Sequence, residues 1–259
     1  MSDPVLLRYD GDVAVVSFNR PEKHNAANDA MDTKFFEILA ELHERTDVRA
    51  IVLRGEGKSF SSGRDTTELG VRSGGESDLE YIARGHAKTK LILTMPAPII
   101  AALKGWVLGG SFERALLCDI RIAAEDARMS LPEVSHGVIP DSGGVARLFQ
   151  MAGHGIASDM ALTGRILTAQ EALQHGIVSR VVPTESLEEE ALKLAHEIGR
   201  RSPLAVKMAR SIISSLGTAD VERTMHDEMV AQSVVFSSED YSELKAARAE
   251  GRDPKFKGR

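Results

Sequence analysis

Residues 99–123 read IIAALKGWVLGGSFERALLCDIRIA. Ile99–Leu103 is an apolar run with the length of a buried strand. Gly105 and then Gly109-Gly110 punctuate the chain, and Ser111–Leu117 has the character of a short apolar helix. Asp119–Ala123 is a further strand candidate. Strand, helix and strand in close succession predict a βαβ-type connection and an α/β fold.

The same alternation extends outward. Val5–Tyr9 and Val13–Phe18 flank Asp10-Gly-Asp12 and read as a hairpin. Asn19–Asn28 is a polar loop carrying Pro21. Met31–Arg45 places Met31, Phe35, Ile38, Leu39 and Leu42 near helical spacing. Arg49–Arg54 holds a short buried-strand signal, and Gly55–Gly75 is a long Gly- and Ser-rich loop. Leu79–Met95 reads as a helix stopped by Pro96-Ala-Pro98. Beyond Gly143, Val145–Met151, Ile156–Leu162 and Ala169–His175 predict short helices around one late strand, Val178–Val182. Thr184–Arg201, Pro203–Leu216, Ala219–Ser237 and Glu239–Glu250 are helical candidates, with an apolar stripe at Met225, Met229 and Val230. The basic end, Arg252–Arg259, reads as loose.

Composition narrows the function classes. The chain has 259 residues, 42% hydrophobic and 27% charged, and a net charge of −6, which argues against a general nucleic-acid binder. Its single cysteine, Cys118, excludes an intramolecular disulfide framework and a multi-cysteine metal site, and reads as a small buried apolar residue. Met1–Tyr9 lacks a signal pattern and no stretch has the length of an apolar membrane span. The expectation is a cytoplasmic protein with no membrane or nucleic-acid partner. No dinucleotide or P-loop glycine fingerprint, no H-E-x-x-H and no G-x-S-x-G is present.

Three segments carry the candidate chemistry. Lys58–Asp65 is a small-residue loop after a strand, where backbone N–H groups can converge on one oxygen. Gly105–Glu113 places two glycines before a helix, whose first-turn amides lack intrahelical partners. Gly110 is a candidate donor to a developing oxyanion, and Glu113 follows about one turn later. Leu131–Gly144 contains Glu133, after a proline suited to a helix start, and Asp141, a candidate helix cap.

Taken together, Asn19–Asn25, Phe60–Asp65, Ala97–Ala101, Gly105–Gly110, Cys118-Asp119, Pro132-Glu133, Gly137–Pro140, Gly143-Gly144, Leu162–Gly164, Ala169–Ala172 and Gly176–Val178 resemble, in order and over nearly the whole chain, the enoyl-CoA hydratase/isomerase (crotonase) family. The resemblance implies a spiral of ββα units over residues 1–195 and a helical C-terminal region, 196–259, that builds trimers, often paired into hexamers. It implies a 2-enoyl-CoA hydratase forming 3-hydroxyacyl-CoA in fatty-acid metabolism, with no metal and no cofactor, CoA being part of the substrate. The implied oxyanion hole is the backbone N–H of Ser62 and of Gly110. Glu113 and Glu133, twenty residues apart, are the implied catalytic pair. Lys23, Ala26, Ser62, Gly63, Arg64, Asp65 and Gly110 are the implied contacts to the CoA thioester. Because CoA is anionic and the chain acidic, a local basic rim is expected, with Lys23, Arg64, Lys255 and Lys257 as candidates. Trp106 reads as core rather than acyl-pocket lining.

The sequence departs from the family pattern at Asp141, where hydratases usually carry glycine. An acid there is similar to the dienoyl-CoA isomerase branch, with Glu113, Glu133 and Asp141 as a carboxylate trio. Arg64 and Arg114 replace residues that are usually small or apolar. Arg64 is a candidate partner for a phosphate or an acyl carboxylate, and Arg114 for Asp141 or a subunit contact. The alternatives to hydration are therefore enoyl- or dienoyl-CoA isomerisation, and non-catalytic acyl-CoA binding.

Overall fold

The computed structural model describes residues 3–68 and 75–259. β1 (Val5–Asp10) and β2 (Val13–Phe18) form the expected antiparallel hairpin, turning at Gly11 with φ 60°. α1 (Asp29–Glu44) follows, and the Asn28 side chain caps it by accepting from Met31 N at 3.0 Å. β3 (Ala50–Gly55) joins β2 in parallel. α2 (Asp78–Thr94) opens with a reciprocal Ser77/Glu80 cap. Next come β4 (Ile99–Leu103), β5 (Trp106–Leu108), α3 (Gly109–Leu117), β6 (Ile120–Ala124), β7 (Arg128–Ser130) and α4 (Gly144–Thr163). β8 (Leu167–Thr168), α5 (Ala169–Gln174), β9 (Arg180–Val182), α6 (Leu187–Gly199), α7 (Pro203–Ser237) and α8 (Glu239–Glu250) complete the chain.

The strands lie in a six-stranded sheet, β1-β2-β3-β4-β6-β9, and a three-stranded sheet, β5-β7-β8. Ser61 extends the smaller sheet through a bridge to Val107. Successive turns of chain thus place one strand in each sheet and then a helix, as in β4-β5-α3 and β6-β7-α4. This is the ββα repeat that the resemblance implied.

The continuous apolar runs have a direct cause. Ala14, Val16, Phe18, Ile51, Leu53 and Ala101 face the main core with α1 and α3. Val13, Val15, Val52, Ile100 and Ile122 face the opposite side, beneath Leu187, Ala191, Leu194 and Ala195 of α6. A sheet covered on both faces needs apolar residues at every position, not at alternate ones.

Several expectations are corrected. The two helices predicted over Pro203–Leu216 and Ala219–Ser237 are one helix, α7. Its Gly217 is buried, and a Cβ there would stand 2.6 Å from Gln150 Oε1, so this glycine serves close packing on α4 rather than a break. The buried face of α7 runs through Val221, Met225, Glu228 and Gln232, while Val230 is exposed. Trp106 is 38% exposed on β5 and belongs to neither the core nor the cavity described below. The C-terminal end is held against α8: the Lys257 and Gly258 amides donate to Asp240 at 2.6 and 2.8 Å, and the Lys255 amide to Glu243 at 2.8 Å. Acidic residues in the first turns of α8 take up the tail's backbone donors. Cys118 is buried as expected, and burial pushes its thiol up to about 12. Among the described residues no helix is long and apolar enough to cross a membrane.

Candidate active site

The site is assembled at two helix N-termini. α3 begins at Gly109, which sits at φ +57° and is preceded by Leu108 with no side-chain cap. The amides of its first turn are therefore unclaimed by the helix, Gly110 among them. Glu113, one turn on, is 1% exposed. Its Oε1 accepts from Ser142 N at 3.1 Å and Gly144 N at 3.0 Å. Glu113 thereby caps α4 from a different helix, a role the sequence had suggested for Asp141. Gly144 permits this approach, because a Cβ there would lie 2.5 Å from Glu113 Cβ.

Glu133 opens a short 3-10 turn, Glu133–His136, immediately after Pro132. Its Oε1 reaches to within 2.9 Å of where a Gly109 Cβ would stand, so the carboxyl lies over the first turn of α3. Glu133 Oε2 is buried with no hydrogen-bond partner among the described residues. Asp141 joins the same wall, and its carbonyl accepts from His86 Nε2. Burial lowers the proton affinity of His86, which favours the neutral ring.

Gly110, Glu113, Glu133 and Asp141 line one cavity of about 380 Å³, together with Arg64. Among the described residues no cluster of His, Cys, Asp and Glu has the arrangement to hold a metal ion. Burial, and then the charge of Asp141, pushes the Glu113 carboxyl up to about 7 against the pull of its backbone donors. Burial and then Glu113 push Glu133 well above the usual carboxylate range. Two neighbouring acids whose proton affinities are both raised, one held by backbone donors and one not, can share acid and base roles near neutral pH.

Glu228 of α7, which the sequence reading missed, is a further buried acid. Its Oε2 accepts from Gly143 N at 2.9 Å and its Oε1 has no hydrogen-bond partner among the described residues. Burial, and then Glu113, push it up to about 9 from an ordinary 4.5. The spacing of Val221, Met225, Glu228 and Gln232 is the signal that could have found it, since two polar residues continue an apolar helical face. Because its folded value lies above its unfolded one, the stability that protonated Glu228 contributes is lost as pH rises from about 4.5 toward 9. Glu228→Gln does not titrate. It is expected to be about 2 kcal/mol more stable than wild type at pH 8, with the gain absent at pH 5, within the limit of about 1.4 kcal/mol per pH unit for one group. Urea unfolding at the two pH values reads the difference, and an equal ΔΔG at both would mean that Glu228 is ionised in the fold.

The loop residues expected to touch CoA divide into two sets. Ser62 N donates to His24 O at 2.9 Å, so this amide is already engaged and cannot serve as the second free donor. That expectation is corrected: in the run Ser61–Asp65 the amide without an acceptor among the described residues is that of Arg64, since Ser61 N donates to Trp106 O, Gly63 N to Ser61 Oγ and Asp65 N to Ala27 O. Gly63 and Gly109 lie against each other, with a Gly63 Cβ position 3.8 Å from Gly109 Cα. The amides just after these two glycines, Arg64 N and Gly110 N, are therefore neighbours. Lys23 is exposed, and Ser62 Oγ donates to its carbonyl at 3.3 Å. Lys23, Ala26, Ser62, Gly63 and Asp65 are outside the lining of the cavity. The Asp65 carboxylate is used within the loop, accepting from Thr67 Oγ1 at 2.7 Å and pairing with Arg20 at 3.2 Å. Arg114 pairs with Asp32 at 2.7 Å, not with Asp141. Arg64 pairs with Asp29 and, at 3.3 Å, with Asp32. The loop expected to shape the pocket, Glu68–Glu80, falls partly outside the described residues, at 69–74.

Comparison with known proteins identifies the family and the fold. A family model described as enoyl-CoA hydratase/isomerase matches residues 8–259. The chain is 34% identical over 254 residues to a probable enoyl-CoA hydratase of Mycobacterium bovis, covering 98% of each. It is 34% identical to the short-chain-enoyl-CoA hydratase of Clostridium acetobutylicum, over 96% of this chain and 95% of that one. The crystal structure of an enoyl-CoA hydratase/isomerase from Pseudoalteromonas atlantica superposes with a TM-score of 0.89 at 29% identity, covering 98% of this chain and 100% of that one. Fold, ordered motifs and full-length similarity coincide, and the chain belongs to the enoyl-CoA hydratase/isomerase family.

Proposed function

We propose that the protein adds water reversibly to a 2-enoyl-CoA thioester to give the 3-hydroxyacyl-CoA. The observation that carries the reading is the buried pair Glu113 and Glu133 at the amide end of α3, both raised in proton affinity, with Glu113 held by two backbone donors and Glu133 Oε2 by none among the described residues. In this reading the thioester oxygen sits between Gly110 N and Arg64 N, and the negative charge that reaches it as water attacks Cβ is held by those two donors. Glu113, whose ionised form is held by the Ser142 and Gly144 amides, takes the proton of the attacking water. Glu133, buried with Oε2 unpartnered among the described residues and so favoured in its protonated form, delivers its proton to Cα. The proposed chemistry is proton transfer and C–O bond formation, and it calls for no cofactor beyond the CoA carried by the substrate.

Reaction with crotonyl-CoA in oxygen-18 water is expected to place the label in 3-hydroxybutyryl-CoA, read by mass spectrometry. Asp141 in the same cavity supports a second reading, isomerisation of an enoyl- or dienoyl-CoA. A shifted double bond with no label would select that reading, and no conversion across short and long acyl chains would overturn both.

A homotrimer or homohexamer built through the 196–259 region, in the cytoplasm, completes the proposal. Leu204, Ile212, Ile213 and Leu216 of α7 are 64–82% exposed, an apolar surface that a subunit contact would cover. Sedimentation equilibrium reads the assembly directly, and a monomer at micromolar concentration would remove it.

A further inference from the structure

Beyond Glu113 and Glu133 the cavity runs between α1 and α2, and its walls there carry a group of charged side chains beside the apolar Phe36, Tyr81 and Ile82 that would suit a hydrocarbon tail. Four cations line it: Arg64, Arg84, Lys88 and Arg114. Apart from the site's own acids, the carboxylates that pair with them among the described residues are Asp29, Asp32 and, at 3.9 Å from Arg64, Glu68, with Glu76 on Arg84. Arg114 and Arg64 share Asp32, at 2.7 and 3.3 Å, and Arg64 also takes Asp29. Arg84 is satisfied elsewhere, by a two-pronged pair with Glu76 at 2.8 and 2.9 Å. Lys88 has no such partner. Among the described residues its ammonium makes no hydrogen bond and no ion pair, and lies 6.0 Å from the Phe36 ring centroid. Arg114 lies 5.2 Å from the same centroid, so two cations approach one ring. The Nε atoms of Arg114 and Arg64 are buried without hydrogen-bond partners among the described residues.

We propose that the acyl group taken by this cavity ends in a carboxylate, anchored by Lys88 together with Arg114. A methyl-terminated tail would cover the Lys88 ammonium and strip its water with nothing in return, whereas a carboxylate supplies the direct hydrogen-bonded partner that Asp32, which feels the Lys88 charge only at a distance and is held by Arg114 and Arg64, does not. The assignment rests on the acyl-CoA reading of the site and adds the class of acyl chain.

Equilibrium binding tests it without turnover. The probes are saturated thioesters in matched pairs of equal chain length: succinyl-, glutaryl- and adipoyl-CoA against butyryl-, pentanoyl- and hexanoyl-CoA, with 6-aminohexanoyl-CoA and free CoA alongside. In at least one pair the carboxylated member is expected to bind tenfold or more tightly. Lys88→Met is expected to collapse that ratio to within about threefold, and Lys88→Arg to keep it. Equal or tighter binding of the methyl-terminated member in every pair overturns the proposal. So does tightest binding of the amino-terminated thioester, which would assign the subsite to Asp29 and Asp32. An equal loss of free CoA affinity in Lys88→Met overturns it too, since the lysine would then hold a CoA phosphate. A carboxylate preference without hydration of the corresponding enoyl thioester would overturn the reaction instead and leave this subsite standing.

Discussion

Glu133→Gln is expected to hydrate a 2-enoyl-CoA at least two orders of magnitude more slowly than wild type, with binding of the thioester largely retained. Glutamine keeps the shape of the side chain and its place over Gly109, but has no acidic proton to deliver to Cα. General acid–base catalysis by a positioned group contributes about 10²–10⁴-fold, and that factor is what the substitution removes. The pH profile makes the test more specific. In wild type, Glu113 must be ionised and Glu133 protonated, so kcat/KM rises as pH passes upward through about 7 and falls where the second proton leaves the pair. In Glu133→Gln the acidic limb should remain, because Glu113 still titrates, and the alkaline fall should vanish. A wild-type rate in this variant would remove Glu133 from the mechanism. A persistent alkaline limb would assign that titration to another group.

The parts of the fold visible in the sequence are those that burial writes into it. β2, β3 and β4 read as strands because α6 covers one face and the main core the other, leaving unbroken apolar runs. β5, β7 and β8 have two or three residues each, too short for a period to register, and Trp106 shows the water-facing position of one of them. Gly217 looked like a helix end because its composition is that of a break. Its reason is the approach of Gln150 and Arg147, a tertiary fact with no local trace.

The site divides in the same way. Glu113, Glu133 and Gly110 were legible because ordered motifs fix their order along the chain. Which amide stays free was not. Ser62 and Arg64 are two residues apart, and the choice between them is made by the His24 carbonyl, which folds back from a loop far away in sequence. Arg114 was misassigned for a related reason: its partner, Asp32, lies on α1, and nothing near Arg114 in the sequence announces it.

The correction from Ser62 to Arg64 carries its own large effect. Gly63→Ala is expected to lower kcat for the enoyl thioester by about 10²–10³-fold with KM changed far less. Gly63 lies at φ +88°, and a Cβ there would stand 2.9 Å from the Leu108 carbonyl oxygen, which is backbone and cannot swing aside. The Ser61–Asp65 run and the Leu108–Gly110 turn must move apart, and Arg64 N and Gly110 N would no longer converge on one oxygen. Loss of one aligned donor to a developing oxyanion costs about 2.7–4 kcal/mol in the transition state, which sets the predicted factor. An interaction made chiefly in the transition state lowers kcat rather than raising KM. Gly153→Ala separates this from backbone strain alone. Gly153 has a similar φ of +77°, with nothing within 4 Å of its Cβ position, at the kink of α4. With ψ 174° it lies in an extended positive-φ region that is essentially glycine-only, so that variant should lose about 1–3 kcal/mol of stability and keep its turnover. A folded Gly63→Ala protein that turns over as fast as Gly153→Ala would show that the thioester oxygen is not held at Arg64 N.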